Sequence, residues 1–268
     1  MRGLTGAFRQ ETGVAIDAVR HGLDVARGGS GADRISLKGG RDVVTGTDVA
    51  VEDVMRGILN DATGLAVVGE ESGGEAPADG SPYWLIDPIC GTRNFASGIP
   101  LYSVNLGLVE HGRLSIAVVG EPSGEIEVAE RGGGAWAVTA GPRRPLVPSG
   151  ASLVLAVEVG RAERARRLRA AEFTEAAIGT DRWDLCSFNS TISLAYLAAG
   201  RIAAYVLFWG TALHTGAGTL LATEAGATVT DLDGRPWTLD SDSIVAAATP
   251  ELHRDLLDLV GRTDPGQG

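Results

Sequence analysis

The chain of 268 residues predicts a layered α+β fold, and two patterns carry that expectation. Between residues 103 and 138, four short apolar runs (103–109, 115–120, 125–129 and 135–138) are punctuated by His111-Gly112, Pro122-Ser123-Gly124 and Gly132-Gly133-Gly134. Runs of that length separated by turn residues form an antiparallel meander. From residue 153 onward strands and helices alternate, which sets helices against sheets. The Pro-rich link 141–150 divides the two regimes. Residues 1–145 are therefore expected to form an N-terminal α+β subdomain, and 146–268 a C-terminal α/β subdomain, of one compact unit.

Residues 5–27 carry Val14, Ile16, Val19, Leu23 and Val25 at helical spacing and predict a long first helix. A Gly/Ser-rich break at 28–33 and a short extended segment at 35–38 follow. Asp42 to Asp48 lead into a helix at 49–59, and 66–71 reads as a buried strand ending in Glu70 and Glu71. After an acidic loop at 73–82, an apolar strand at 83–86 runs into Asp87-Pro88-Ile89-Cys90-Gly91-Thr92. Beyond the link, strands are expected at 153–157, 203–208, 228–230 and 243–247, and helices at 161–172, 190–199, 215–225 and 250–261.

The formal net charge is −11, and no dense basic cluster offsets it. The nearest candidate, 161–169, alternates Arg with Ala, Glu and Leu and reads as the solvated face of a helix. Nucleic acid is not an expected partner. An anionic small molecule would have to be held by local groups or metals rather than by the overall field. Cys90 and Cys186 lie far apart, which suits a reducing compartment without a disulfide framework. Arg9, Glu11, Asp17 and Arg20 interrupt any apolar leader, and no run is long enough to span a membrane, so a cytoplasmic protein with no membrane partner is expected. Lys38 is the single lysine; alone it reads as a surface residue, and it is retained as a candidate anion-binding group.

A strand that ends in Asp87-Pro88 and reopens as a helix at Gly91-Thr92 builds two adjacent sites. The carboxylate can hold a cation, and the free N–H groups of Gly91, Thr92 and Arg93 can hold an anion. Side by side they describe a phosphate ester with its metal.

Asp87-Pro88-Ile89-Cys90-Gly91-Thr92 resembles the Asp-Pro-Ile-Asp-Gly-Thr signature of the inositol monophosphatase family of magnesium-dependent, lithium-sensitive phosphatases. Asp42-x-x-Thr45-x-x-Asp48, Gly69-Glu70-Glu71, and Leu213-His214 through Thr223-Glu224-Ala225-Gly226-Ala227 fall in that family's order and spacing, so the resemblance covers nearly the whole chain. It implies an α/β/α/β/α layer order and, since family members are often dimers, a homodimer. It also implies roles. Glu70, Asp87 and the Ile89 carbonyl would hold magnesium, Asp48 and Thr92 would orient an attacking water, and the Gly91 and Thr92 amides would hold phosphate oxygens.

The chain departs from that family where a second metal would sit. Cys90 stands in place of an Asp, and Leu213-His214 in place of a Trp-Asp pair, so one magnesium ion is expected rather than two. Leu207 replaces a substrate-recognising Glu, and Asn189-Ser190-Thr191 replaces Gly-Ser-Ala, which changes the pocket wall. Three readings of Cys90 and His214, expected near Asp87, stay open. They could form a catalytic pair, with the imidazole lowering the thiol pKa or acting as acid or base. Asp87, Cys90 and His214 could hold a softer ion such as zinc. Or they could be the residue of a lost metal site. The expected activity is weak metal-assisted hydrolysis of a small phosphorylated or anionic metabolite. The alternatives are a non-hydrolytic biosynthetic enzyme (elimination, rearrangement or cyclisation) and a non-catalytic ligand binder.

Overall fold

In the computed structural model, residues 7–29, 36–39, 42–139 and 141–263 are described. The chain runs through α1 (Gln10–Gly28), a hairpin of β1 (Ser36–Gly39) and β2 (Asp42–Val44), and α2 (Gly46–Thr63). It continues with β3 (Ala66–Gly69), β4 (Tyr83–Cys90), the short α3 (Thr92–Ala96), β5 (Ser103–Glu110), β6 (Arg113–Gly120), β7 (Ile126–Glu130), β8 (Gly134–Val138) and β9 (Arg144–Pro145). Then come β10 (Val154–Glu158), α4 (Arg164–Gly179), β11 (Asp184–Cys186), α5 (Ile192–Ala198), β12 (Ala204–Leu207), α6 (Ala212–Ala225), β13 (Thr228–Thr230), β14 (Ile244–Ala247) and α7 (Pro250–Arg262).

The expected meander is the centre of a seven-stranded sheet ordered β3-β4-β5-β6-β7-β8-β9. The later strands form a five-stranded sheet ordered β11-β10-β12-β14-β13. Strand alternation sends one set of side chains to each face, and four apolar clusters glue the layers together. On the outer face of the larger sheet, Trp84, Ile86, Leu106 and Val118 pack against Val19 and Leu23 of α1 and Met55 and Leu59 of α2. Its inner face, including Val119 and Ala129, meets Ala195 and Ala198 of α5 and Leu220 and Leu221 of α6. The same two helices cover Tyr205 and Leu207 of the smaller sheet. Ala204 and Val206, pointing the other way, pack with Phe173 of α4 and Leu256 of α7. The result is the α/β/α/β/α order.

Several boundaries differ from the sequence expectation. The strand expected to stop at Ile86 continues to Cys90. Its pairing with β5 shifts register between Asp87 and Cys90, opposite Asn105 and Ser103, and Pro88 lies inside that bulge. A proline cannot donate to the ladder, but a bulge leaves a residue unpaired, so the strand survives it. The helix expected at 161–172 is α4, which begins only at Arg164 and runs to Gly179. Strands β9 and β11, of two and three residues, carry too little alternation to be read from sequence. No helix among the described residues is long and apolar enough to cross a membrane.

Candidate active site

The alternation of β4 places Asp87 on the inner face, beside the starts of α5 and α6. Parallel pairing of β3 with β4 sets Gly69 next to Ile86, so Glu70 leaves its strand at the same level as Asp87. The turn carrying Glu70 is pinned from beneath by Glu52 of α2. This wholly buried carboxylate accepts from the Glu71 and Ser72 amides at 2.7 and 3.0 Å and from Arg56 at 2.9 Å. Burial would raise the Glu52 pKa, but those hydrogen bonds outweigh it and lower it.

His214 is the third residue of α6, whose N-cap is Thr211. A cation there opposes the helix dipole, yet the ring is held in place by carboxylates. Its Nδ1 lies 3.0 Å from Asp87 Oδ2 and 3.8 Å from Glu70 Oε2. Burial pulls the imidazole pKa down, the Asp87 hydrogen bond and the Asp87 and Glu70 charges push it up, and the net shift is upward. Glu70, Asp87 and His214 each bring a ligand-capable atom to within 4.8 Å of the others. Asp87 is fully buried, and its Oδ1 has no hydrogen-bond partner among the described residues. An orphaned buried carboxylate oxygen next to Glu70 fits a hard cation. The Ile89 carbonyl, which accepts from the Thr92 hydroxyl at 3.1 Å, keeps a second lone pair for the same purpose.

Asp48 closes a capping box on Thr45: the Thr45 amide donates to its Oδ2 at 2.9 Å, and the Thr45 hydroxyl donates to the same oxygen. Its Oδ1 makes no hydrogen bond, although Thr92 is near enough to hold the carboxyl partly down against a net rise caused by burial. Gly91 has φ of 103°, and a Cβ there would meet the Leu101 carbonyl oxygen at 2.9 Å, so the turn into α3 requires glycine.

The structure does not make Cys90 a partner of His214. The thiol is buried and lies 2.8 Å from the Thr191 hydroxyl, and the Thr191 amide donates to it at 3.4 Å. Thr191 in turn donates to the His214 carbonyl at 3.0 Å and accepts from Asn105 at 3.1 Å. Desolvation, then the Asp87 charge, pushes the Cys90 pKa well up, which favours the protonated, weakly nucleophilic thiol. The expected zinc trio of Asp87, Cys90 and His214 is accordingly not among the close ligand groups of the described residues; Glu70 takes the place of Cys90.

Glu70, Ile89, Cys90 and His214 line a cleft of about 760 Å³, together with Gly91, Thr92, Thr191 and Leu207, and the buried Asp87 lies behind Glu70 and His214. The Lys38 side chain falls outside the described residues. Arg161, in the segment before α4, and Arg167, in its first turn, are exposed, as expected of a solvated face, and both also border the cleft. Glu52, Tyr205 and Arg167 were not singled out from sequence. Only the i,i+4 spacing of Glu52 and Arg56 on one helix carried a local sign of their pairing.

A family model described as the inositol monophosphatase family matches residues 8–263. The chain is 35% identical over 242 residues to inositol-1-monophosphatase ImpA of Mycolicibacterium smegmatis, covering 88% of this chain and 86% of that protein. It is 30% identical over 249 residues to Nus factor SuhB of Vibrio cholerae, covering 88% and 90%. In three dimensions it matches the extragenic suppressor protein suhB from Bartonella henselae with a TM-score of 0.82 at 24% identity, over 94% of this chain and 98% of that one.

Proposed function

The chain belongs to the inositol monophosphatase family, and from that premise we propose that it hydrolyses a small-molecule phosphomonoester using one magnesium ion. Glu70, Asp87 and the Ile89 carbonyl would hold the ion. The observation that carries this reading is the unpartnered, buried Asp87 Oδ1 beside Glu70 at a cleft of small-molecule size. Bound there, the ion would supply Lewis-acid polarisation of the phosphate and a more acidic water.

The remaining work falls to side chains. The Gly91 and Thr92 amides at the αL turn would receive phosphate oxygens. Asp48, whose pKa is raised, and the Thr92 hydroxyl would orient the incoming water and take up its proton. His214, whose pKa is raised and which is tied to Asp87, would give a proton to the leaving oxygen, work that a second cation would otherwise share. Cys90 would have no part in the chemistry; its hydrogen bonds hold Thr191 and, through it, the first turn of α6.

Phosphate release with magnesium, measured on sugar, inositol and nucleotide monophosphates, tests the proposal. Asp87→Asn should lower kcat/KM by about 100-fold or more, the size of losing one electrostatic stabiliser. Equal, background-level release by wild type and Asp87→Asn would overturn it. A second reading, other chemistry or binding on the same scaffold, is favoured by the His214 ring closed onto Asp87 at 3.0 Å. It gains the field if only a Cys90→Asp/His214→Asp variant hydrolyses.

A further inference from the structure

The cleft carries side chains that the hydrolytic reading leaves without a task. Tyr205 and Leu207 of β12 share the face turned towards α5 and α6, and both line the cleft. Tyr205 is fully buried, yet its hydroxyl has no hydrogen-bond partner among the described residues. Burial, then the Glu158 charge, pushes the phenol far up, so it remains a donor throughout the neutral range. A buried hydroxyl without a partner is unfavourable until an acceptor meets it.

The adjoining wall is apolar: Leu207 and Trp209 border the cleft. Gly160 passes so close to the Trp209 carbonyl oxygen that a Cβ would lie 1.9 Å from it, so no side chain at 160 narrows the space. No acid remains on that wall to receive the hydroxyls of a polyol. Glu158 is engaged by the Ser187 hydroxyl at 2.9 Å and the Phe188 and Asn189 amides at 2.6 and 2.7 Å. Positive charge is concentrated instead. Arg93, Arg161 and Arg167 all line this one cleft in a chain of net charge −11. Arg161 stands 3.9 Å from Glu70, whereas the exposed Arg167 side chain has no ion pair or hydrogen bond among the described residues.

A polyhydroxylated ring placed against Leu207 and Trp209 would give up water without gaining partners, while an apolar ring would not. A guanidinium without a counter-ion at the mouth is suited to a carboxylate or phosphate. We propose that the cleft selects a phosphomonoester whose alcohol part is an apolar ring bearing a second anionic group. The ring packs on Leu207 and Trp209, Tyr205 donates to an acceptor on it, and Arg167 with Arg161 meets the second anion. This selectivity rests on the cleft being the phosphomonoester site proposed above.

The test compares phenyl phosphate with 4-carboxyphenyl phosphate, and both with inositol 1-phosphate, by phosphate release in magnesium. Calorimetric binding of benzylphosphonate and 4-carboxybenzylphosphonate, which cannot be hydrolysed, runs beside it. Wild type should favour the carboxylated member of each pair by about fivefold to tenfold, the size of one well-placed charge pair. Arg167→Gln should bring that ratio towards one, and Leu207→Glu should shift the order towards inositol 1-phosphate. Phosphate release with no preference within the pairs overturns the inference and leaves the phosphatase reading standing. A preference that persists undiminished in Arg161→Gln/Arg167→Gln also overturns it. Selective phosphonate binding without release from any ester overturns the phosphatase reading and retains the selectivity.

Discussion

At the scale of single residues, the site turns on two side chains whose chemistry is decided by their neighbours. His214 binds its proton more tightly in the folded chain than in the unfolded one, because Asp87 and Glu70 outweigh burial. The folded chain therefore holds more protons than the unfolded chain between the ordinary value of 6.5 and the raised one. The resulting stabilisation is complete below the unfolded pKa and is lost as pH rises through the folded pKa. Denaturation midpoints of wild type and His214→Gln should accordingly differ most below the unfolded value of 6.5 and converge as pH rises through the raised folded value. Cys90 behaves in the opposite sense for reactivity. Its raised pKa, and the value of about 11 reached by Cys186, predict slow alkylation by iodoacetamide at neutral pH in the native protein and fast alkylation after unfolding. Fast modification of the native protein at Cys90 would restore the thiol as a candidate nucleophile. Its place at a strand end before Pro88 pointed to Asp87, while the resemblance to the inositol monophosphatase family pointed to Glu70 and to His214 in the place of an Asp. Nothing local pointed to Tyr205 or Arg167: one is an apolar-strand residue and the other a helix arginine, and only the tertiary fold brings both to the cleft.

Elements were readable where periodicity was long. The meander strands and α7 fall within a few residues of expectation because alternation or amphipathic spacing persisted through them. The ends moved where local geometry, not pattern, sets them. Helix α2 starts at Gly46, three residues before its expected apolar run, because Thr45 and Asp48 cap it reciprocally, and it ends at Gly64 in the left-handed region. That cap would tie element stability to the site, since its Asp48 is also the residue proposed to orient the water. Thr45→Ala should cost about 1 kcal/mol in thermal or urea denaturation. It should also lower phosphate release by freeing the Asp48 carboxyl to turn. A stability loss with unchanged kcat/KM would show that the cap is structural alone.

Across the whole molecule, the layers are held by four apolar interfaces, and one of them contains a charge problem. Glu127 on β7 stands opposite Val119 and Ala137 on the inner face of the larger sheet, the face that α5 and α6 cover. It is fully buried, and neither carboxylate oxygen has a hydrogen-bond partner among the described residues. Arg201 instead pairs with Glu121, at 2.8 Å, and with Glu125. Burial, then Glu121, pushes the Glu127 pKa well above 4.5. The folded chain therefore retains a proton there that the unfolded chain gives up, and stability falls as pH rises from 4.5 towards the folded value. Glu127→Gln should remove that slope. Its advantage over wild type should grow with pH and reach about 1–3 kcal/mol at about pH 8. A constant difference across the range would place the cost in packing rather than ionisation.

The shared middle layer also sets an order of events at the ribosome. The larger sheet is complete in sequence by Pro145, but the helices that cover its inner face begin only at Ile192 and Ala212. During synthesis the nascent chain thus presents a wide apolar surface, with Leu114, Val119 and Ala129, and nothing of its own to lay on it. That interval is when chaperone engagement or premature association is most favoured. Glu70 and Asp87 emerge early, whereas Leu207 and His214 emerge late. A chain arrested between them would own half of the proposed site, so a ligand of that site would stabilise the finished protein but not the chain still being made.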